Sequence, residues 1–200
     1  APVLLNSSAI EPFSSRFEFT NPLLLAADGE IPASSVHLRL DRTVGHGVHE
    51  DYELVNYGPQ HLEIDLEISV ECDFADLFDV KGAGLVRRGS LQSEWEPADG
   101  RLTTVYVDGD FRRALRLQTA NSGSEPEYAN GGIIFRVSVA PGTSWHTCLL
   151  WIPLVGDDQA QTGRACNDLL GAADERDHAR RSWIAQSTRF ETSDPAVTAS

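Results

Sequence analysis

Methionine is absent from the 200 residues, and lysine occurs once, as Lys81. Because translation starts with methionine, we expect the chain to be processed or cut from a longer one. The 16 basic residues face 30 acidic ones, which gives a net charge of −14 at pH 7. Nucleic acids and anionic membranes bind clustered Lys and Arg. The charge balance therefore disfavours both as partners.

Cysteine is scarce, and the apolar runs are short. Cys72, Cys148 and Cys166 form no C-x-x-C pair and are odd in number, so neither a zinc ribbon nor a disulfide framework is indicated. We expect reduced, buried thiols. The most apolar run, Thr147 to Val155, contains Pro153 and is too short to span a bilayer. The N-terminus lacks the pattern of a signal peptide, so we predict a cytoplasmic location.

Alternation of apolar and polar residues dominates the chain up to about residue 155. It is clearest over residues 61–74, where it predicts a long strand with one buried face and one solvated face that carries five carboxylates. Similar runs recur between turn-forming segments such as residues 56–59 and Pro141-Gly142, which we interpret as a hairpin turn. No helical pattern separates them. The sequence therefore predicts an all-β fold, an antiparallel β-sandwich over residues 11 to about 155.

The pattern changes after Val155, and we place the boundary of the sandwich domain there, with residues 1–155 before it and 156–200 after it. Residues from Thr162 to about Ser187 are rich in Ala, Asp, Glu and Arg and have apolar residues at roughly helical spacing. Asp177 and Arg181 form a favourable i,i+4 pair. We predict a helix there, followed by a polar linker over residues 192–200.

Catalytic signatures are missing. The sequence has no G-x-S-x-G elbow and no S-x-x-K motif. His146 lies two residues from Ser144 and Cys148, as in any polar strand, so we interpret it as structural. His46 and His49 have an H-x-x-H spacing that fits neither a helical nor a strand zinc site. We therefore predict no catalytic residue, no metal and no cofactor.

One turn is unusually rich in charge. Glycosidases need two carboxyl groups about 5 to 10 Å apart, and three aspartates on one short turn reach such separations by accident. We favour the interpretation that they cap the turn and pair with nearby arginines. The turn also supplies our candidate interface or glucan-contact residues, which are Asp73, Asp76, Asp79, Arg87 and Arg88.

Several motifs occur together in an order that resembles one family. The most specific is D-F-A-D-L-F, which begins at Asp73 and ends the long alternating run. The others are Thr20-Asn21-Pro22, the strand from His49 to Tyr57, Arg87-Arg88-Gly89, the aromatic element from Tyr106 to Arg113, and Pro141-Gly142. Over most of residues 11–155 the chain resembles the N-terminal domain of bacterial glycogen debranching enzyme-like proteins of the amylo-α-1,6-glucosidase type.

The resemblance implies a supersandwich-like β-sandwich that flanks the α/α-barrel catalytic domain of a glycoside hydrolase. The family's earlier D-T-R motif and the barrel, which carries the acid and base carboxylates, are not found in this sequence. The implied role is non-catalytic. It consists of bracing the barrel of the same parent chain and contributing to the binding of α-glucan.

Two other functions stay open. A free-standing carbohydrate-binding module would stack sugars on exposed rings, and the candidate rings are Trp95, Trp145, Trp151, Trp183 and Tyr106, of which we expect Trp145 and Trp151 to be buried. An autonomous enzyme would instead use the charged turn from Asp73 to Arg88, with a metal at His46 and His49.

Overall fold

The computed structural model describes residues 1–26, 29–45, 47–75, 81, 89–155 and 177–188. Outside the strands, these residues include a 3-10 turn at Pro97–Asp99 and a helix over 177–186. None of the helices they form is both long and apolar enough to cross a membrane. The strands are β1 (Val3–Glu11), β2 (Ser14–Thr20), β3 (Leu24–Ala26), β4 (Gly29–Ile31), β5 (Val36–Val44), β6 (Val48–Asn56), β7 (Leu62–Ser69), β8 (Ser90–Glu96), β9 (Arg101–Asp108), β10 (Phe111–Ala120), β11 (Pro126–Ala129), β12 (Gly132–Val139) and β13 (Ser144–Val155).

Two antiparallel sheets form the predicted β-sandwich. The large sheet has eight strands in the order β1-β2-β5-β6-β13-β10-β9-β8, and the small sheet has three in the order β11-β12-β7. Strands β3 and β4 form a separate two-stranded ribbon. Within the described part of the chain every pairing between strands is antiparallel, as the alternating sequence predicts.

The core lies between the facing sides of the two sheets. In β6 the side chains of Tyr52 and Leu54 are buried, while Glu53 between them is half-buried on the opposite face. In β12 the inward residue Phe135 is fully buried and meets Trp145 of β13 edge to face, with ring centroids 5.3 Å apart. Period-2 burial on both sheets therefore makes one continuous apolar layer.

The longest predicted strand is shorter in the structure. Strand β7 ends at Ser69, which pairs with Gly132, the first residue of β12. Within β7 the predicted alternation is confirmed, because Glu63, Asp65 and Glu67 are exposed while the residues between them are buried or half-buried. The apolar–polar alternation continues for five more residues that have no partner strand, so sequence periodicity alone overestimates the length of the strand.

The predicted hairpin at Pro141-Gly142 is wrong in its pairing. The residues do form a tight turn, with Gly142 at a φ of +72°, but β12 and β13 belong to different sheets. The turn therefore carries the chain across the sandwich. The segment 57–61 does the same between β6 and β7. Both crossings lie at the same end, which we call the crossing end.

Asn56 joins the two crossings. Its buried side-chain amide donates to the carbonyls of Gln60, at 2.8 Å, and Val139, at 3.0 Å, and its Oδ1 accepts from the backbone N–H of Gly58 at 2.9 Å. The backbone N–H of Gly142 donates to the carbonyl of Asn56. All hydrogen-bonding groups of the amide side chain are used for structure.

Asn21, from the Thr20-Asn21-Pro22 motif, has a similar role. Its Nδ2 donates to the carbonyls of Pro22 and Pro32, and its Oδ1 accepts from the backbone N–H groups of Ser35 and Val36. The asparagine is buried. It therefore ties the start of β5 to the end of β2.

The sequence misses the first strand. Strand β1 is the edge of the large sheet and pairs only with β2, and all nine of its residues are exposed. Its register with β2 shifts twice, between Leu4 and Asn6 and between Ala9 and Glu11. An exposed edge strand with two irregularities has no buried face to impose alternation. The strand-rich region therefore begins at Val3 rather than near residue 11.

Candidate functional site: the open end of the sandwich

A cleft lies between the two sheets at the end opposite the crossing end. Strand β7 stops at Ser69, and the chain that follows it lines one side of the cleft while β8, β9 and β10 line the other. The volume is about 310 Å³, at the lower end of the range for ligand pockets. The lining residues are Val70, Glu71, Cys72, Asp73, Leu91, Ser93, Leu102, Thr104, Leu115, Leu117 and Tyr128.

The backbone at the mouth of this cleft has an unusual conformation. Phe74 has a φ of +53°, in the left-handed region that a bulky side chain rarely occupies. Such a residue costs on the order of 1–3 kcal/mol. The carboxylate of Asp73 accepts a hydrogen bond from the backbone N–H of Ala75 at 3.0 Å, which is an Asx turn. Asp73 therefore stabilises the turn that presents Phe74.

Phe74 belongs to an aromatic cluster with Tyr106 and Phe111. The rings of Phe74 and Tyr106 stack with centroids 5.7 Å apart and an interplanar angle of 18°. Phe111 meets Tyr106 edge to face at 6.0 Å. The guanidinium of Arg113 lies over Phe111, 4.3 Å from the ring centroid, within the range of a cation–π contact. Phe111 is 45% exposed, so part of the cluster faces solvent.

Gly89 fixes the third segment at this end. Its backbone N–H donates to the Tyr106 hydroxyl at 3.0 Å. A Cβ on Gly89 would overlap the carbonyl oxygen of Val107 and lie 2.8 Å from the Tyr106 ring. Only glycine fits this approach. Three segments that are far apart in sequence, 73–75, 89 and 106–113, therefore meet at what we call the open end.

The predicted contact residues divide into two groups. Asp73 lines the cleft and forms the Asx turn. Asp76, Asp79, Arg87 and Arg88 lie outside the described residues. The sequence did not single out Phe74 or Phe111. Their signal was an aromatic residue directly after an Asx-turn aspartate, and another after the Gly109 turn.

Most tryptophans do not offer a sugar-binding surface. Trp145 is buried, as predicted. Trp151, which we expected to be buried, is half-buried, and its indole N–H donates to Glu50 at 2.9 Å. Trp95 lies against Tyr128 of the small sheet, with ring centroids 5.9 Å apart. Trp183, on the helix, is 70% exposed. At the open end the exposed ring surface comes from Phe111 and its neighbours instead.

A buried carboxylate inside the sandwich serves the fold. Glu50 is 4% exposed and accepts hydrogen bonds from Arg42 Nε at 2.8 Å, the Tyr52 hydroxyl at 3.0 Å and Trp151. Burial, together with the Glu50 charge, raises the pKa of Tyr52. Because three protein donors hold its carboxylate between the strands, we interpret Glu50 as a structural ion-pair partner.

His146 does not form a nucleophile–base–acid relay. Its Nδ1 lies 3.1 Å from the carbonyl of Asn121, and its Nε2 lies 2.7 Å from Asp51 Oδ1 and 3.7 Å from Cys148 Sγ. A relay needs the thiol and the carboxylate on opposite ring nitrogens, and here both face Nε2. His49 is buried in β6, and His46 lies outside the described residues.

The geometry agrees with the comparison to known families. A family model described as the N-terminal domain of (some) glycogen debranching enzymes matches residues 1–150. No curated protein matches the chain. The matched residues contain both sheets nearly complete, the buried asparagines and all three segments of the open end. The chain therefore belongs to the family of N-terminal domains of glycogen debranching enzymes.

Proposed function

We propose that this chain is the non-catalytic N-terminal β-sandwich of a glycogen-debranching glycoside hydrolase of the amylo-α-1,6-glucosidase type. It braces an α/α-barrel catalytic domain of the same parent chain, and its open end contacts the α-glucan. The observation that carries the proposal is that segments of three family-like motifs, residues 73–75, 89 and 106–113, meet beside one cleft and form one part-exposed aromatic cluster. A cytoplasmic location stays a prediction.

The chemistry of the open end suits binding better than hydrolysis. Aromatic rings stack on the apolar faces of pyranose rings, and Phe111 offers such a surface beside Arg113, a hydrogen-bond donor. The described carboxylates of the cleft are Glu71 and Asp73, and Asp73 is already engaged in its Asx turn. We propose that Asp73, Asp76, Asp79, Arg87 and Arg88 act together as contacts to glucan or to the catalytic domain.

We also propose residues 1–155 as the sandwich domain and residues 156–200 as the segment that leads to the catalytic domain. The last strand ends at Val155. The described part of the second segment is a helix in which Arg181 pairs with Asp177, as predicted. On it Trp183 and Ile184 are exposed, which supports an apolar contact with the rest of the parent enzyme.

The test is kinetic and uses the parent enzyme with a branched limit dextrin. Phe111→Ala removes the exposed ring of the cluster, and Tyr57→Ala removes an even more exposed ring at the crossing end as a matched control. We expect Phe111→Ala to raise KM several-fold with kcat unchanged, because lost substrate binding far from the reacting bond affects KM. Tyr57→Ala should change neither constant.

Two results would decide against the proposal. Equal KM values for the two variants would contradict a contact between glucan and the ring of Phe111. Hydrolysis of α-1,6-linked glucan by the 200-residue chain itself, lost on changing Asp76 or Asp79, would show an autonomous enzyme. Calorimetric titration of the chain with maltooligosaccharides addresses the carbohydrate-binding module, since millimolar or tighter binding without the catalytic domain favours that alternative.

A further inference from the structure

A second cluster of chemically active side chains lies in the middle of the large sheet. Strand β6 contributes His49 and Asp51, and β13 contributes His146 and Cys148. Residues two apart on a strand share a face, and Asp51 is the register partner of Cys148. These residues alternate with core residues such as Tyr52, so the four side chains project together from the outer face. We call them the His/Cys cluster.

The donor atoms of the His/Cys cluster are close to one another. One ligand atom from each of His49, Asp51 and Cys148 lies within 4.8 Å of the others. His146 Nε2 lies 2.7 Å from Asp51 Oδ1 and 3.7 Å from Cys148 Sγ. Imidazole nitrogen, carboxylate oxygen and thiolate sulfur are the ligands of protein zinc sites, and four is the usual number.

The Asn121 carbonyl fixes the orientation of the His146 ring. A carbonyl oxygen only accepts, so the tautomer with a proton on Nδ1, 3.1 Å from that carbonyl, fits this contact. In that tautomer the neutral ring presents the lone pair of Nε2 towards Asp51 and Cys148. A backbone carbonyl that fixes the other ring nitrogen is the usual outer partner of a metal-bound histidine.

His49 supplies an independent observation. It is 3% exposed, and among the described residues its Nε2 has no hydrogen-bond partner. A neutral imidazole nitrogen that makes no hydrogen bond keeps its lone pair for a ligand bond. A buried polar atom without a partner is rare and calls for an explanation. A metal ion bonded to this ring would supply one.

We propose that the His/Cys cluster binds one Zn²⁺ through His49, Asp51, His146 and Cys148. Binding forms a Zn–S bond as the Cys148 thiol loses its proton to solvent. Ligand atoms of a tetrahedral zinc lie about 3.3 to 3.8 Å apart. The ligand atoms of His49, Asp51 and Cys148 lie within 4.8 Å of one another, and His146 Nε2 lies 2.7 Å from Asp51, so side-chain rotations must bring the four ligands to these separations when the ion binds. Asp51 and His146 are partly exposed, which gives the ion a path from solvent.

The ion would join the two central strands of the eight-stranded sheet, since β6 and β13 occupy the fourth and fifth positions. From the sequence we considered only His46 with His49 and predicted no metal. The sequence does not reveal the four proposed ligands as a group, because two of them lie about a hundred residues further along the chain than the other two. Antiparallel pairing of β6 with β13 places an H-x-D and an H-x-C side by side.

The test measures metal binding by the 200-residue chain, without any activity assay. The purified chain is stripped with a chelator, supplied with Zn²⁺, desalted and analysed for zinc, and Co²⁺ substitution reports a sulfur ligand by its thiolate-to-cobalt charge-transfer band. We expect one zinc per chain and a clear band. Cys148→Ser should abolish the band and weaken zinc binding at least about tenfold, while Cys72→Ser is the matched control and should change neither.

A second variant covers the case in which Cys148→Ser does not fold. His146→Asn changes a partly exposed ligand, and circular dichroism verifies its fold; it should weaken zinc binding and leave the band. Substoichiometric zinc in the unmodified chain, or equal zinc affinity in Cys148→Ser and Cys72→Ser, would overturn the proposal. The Asp51–His146 contact would then be an ordinary histidine–carboxylate hydrogen bond.

Discussion

The two ends of strand β7 differ in almost every structural property. At the crossing end the chain changes sheets twice, the Asn56 side chain donates hydrogen bonds to both crossing segments, and the cavity there has a volume of about 70 Å³. At the open end a cleft with a volume of about 310 Å³ lies between the two sheets, and Phe74 has a strained φ beside a part-exposed aromatic cluster. Motif residues of the same family occur at both ends. The comparison shows that motifs of one family can hold the fold together at one end and, at the other end, surround the cleft that we propose as a binding surface.

The largest expected effect comes from breaking the crossing end. Asn56→Ala removes three hydrogen bonds and leaves the carbonyls of Gln60 and Val139 and the Gly58 N–H without their partner. Buried groups left unpaired are costly, so the free energy of unfolding should fall by about 2–4 kcal/mol in urea denaturation. Asn6→Ala, on the exposed strand β1, is the control and should stay within about 0.5 kcal/mol. Equal losses of unfolding free energy in both variants would contradict the role of Asn56 in joining the two crossing segments.

A smaller loss of stability should follow from disturbing the open end. Gly89→Ala places a methyl group against the Val107 carbonyl and the Tyr106 ring, where backbone atoms cannot give way, so we expect a loss of about 1–3 kcal/mol. Gly142→Ala is the matched control at the crossing end, because its Cβ meets no atom within 4 Å and only its φ of +72° opposes a side chain. That variant should lose about 1 kcal/mol. Thermal denaturation of both variants shows which one loses more stability. A larger loss in Gly142→Ala than in Gly89→Ala would contradict the prediction.

Two substitutions of Phe74 separate strain from contact. Phe74→Gly removes the aromatic stack but also the penalty of the left-handed φ, whereas Phe74→Ala keeps most of that penalty. The glycine variant should therefore be more stable than the alanine variant by about 1 kcal/mol. Both should weaken glucan binding of the parent enzyme alike, since both lack the ring. A more stable alanine variant in chemical denaturation would show that the φ carries no strain.

The smallest expected effect concerns an ion pair on β8 and β9, away from both the cleft and the crossings. Hydrogen bonding to Arg101 lowers the pKa of Glu96 below its ordinary value of 4.5. Because the unfolded state then binds more protons near that pH, the stabilisation is present above about pH 4.5 and is lost as the pH falls through the lower folded-state pKa. Glu96→Gln should lower Tm slightly at neutral pH and show less further loss on acidification. If Tm fell more steeply on acidification in the variant than in the unmodified chain, the Glu96–Arg101 pair would not be the source of this pH dependence.

The sequence predicts the strand pattern better than the connections between strands. The alternation in β7 and the buried Trp145 follow from period-2 patterning, which reports directly on two-sided burial. The pairing across Pro141-Gly142 does not follow, because a tight turn is equally suited to a hairpin and to a crossing between sheets. Strand β1 was missed because an exposed edge has no core face.

The candidate site was predictable only in part, because its segments lie far apart in the sequence. The sequence points to Asp73 because charged residues crowd around it. It cannot show that Gly89 and Tyr106 come to the same end, since that follows from how β7, β8 and β9 are arranged. The role of Phe74 depends on its φ of +53°, which residue type alone disfavours.

Hydrogen–deuterium exchange of the parent enzyme, with and without a branched α-glucan oligosaccharide, compares the two ends most directly. We predict that glucan slows exchange in peptides that cover residues 70–75 and 104–113 and leaves peptides over residues 54–62 and 139–144 unchanged. Protection confined to the crossing end, or absent from both ends under saturating glucan, would contradict the account.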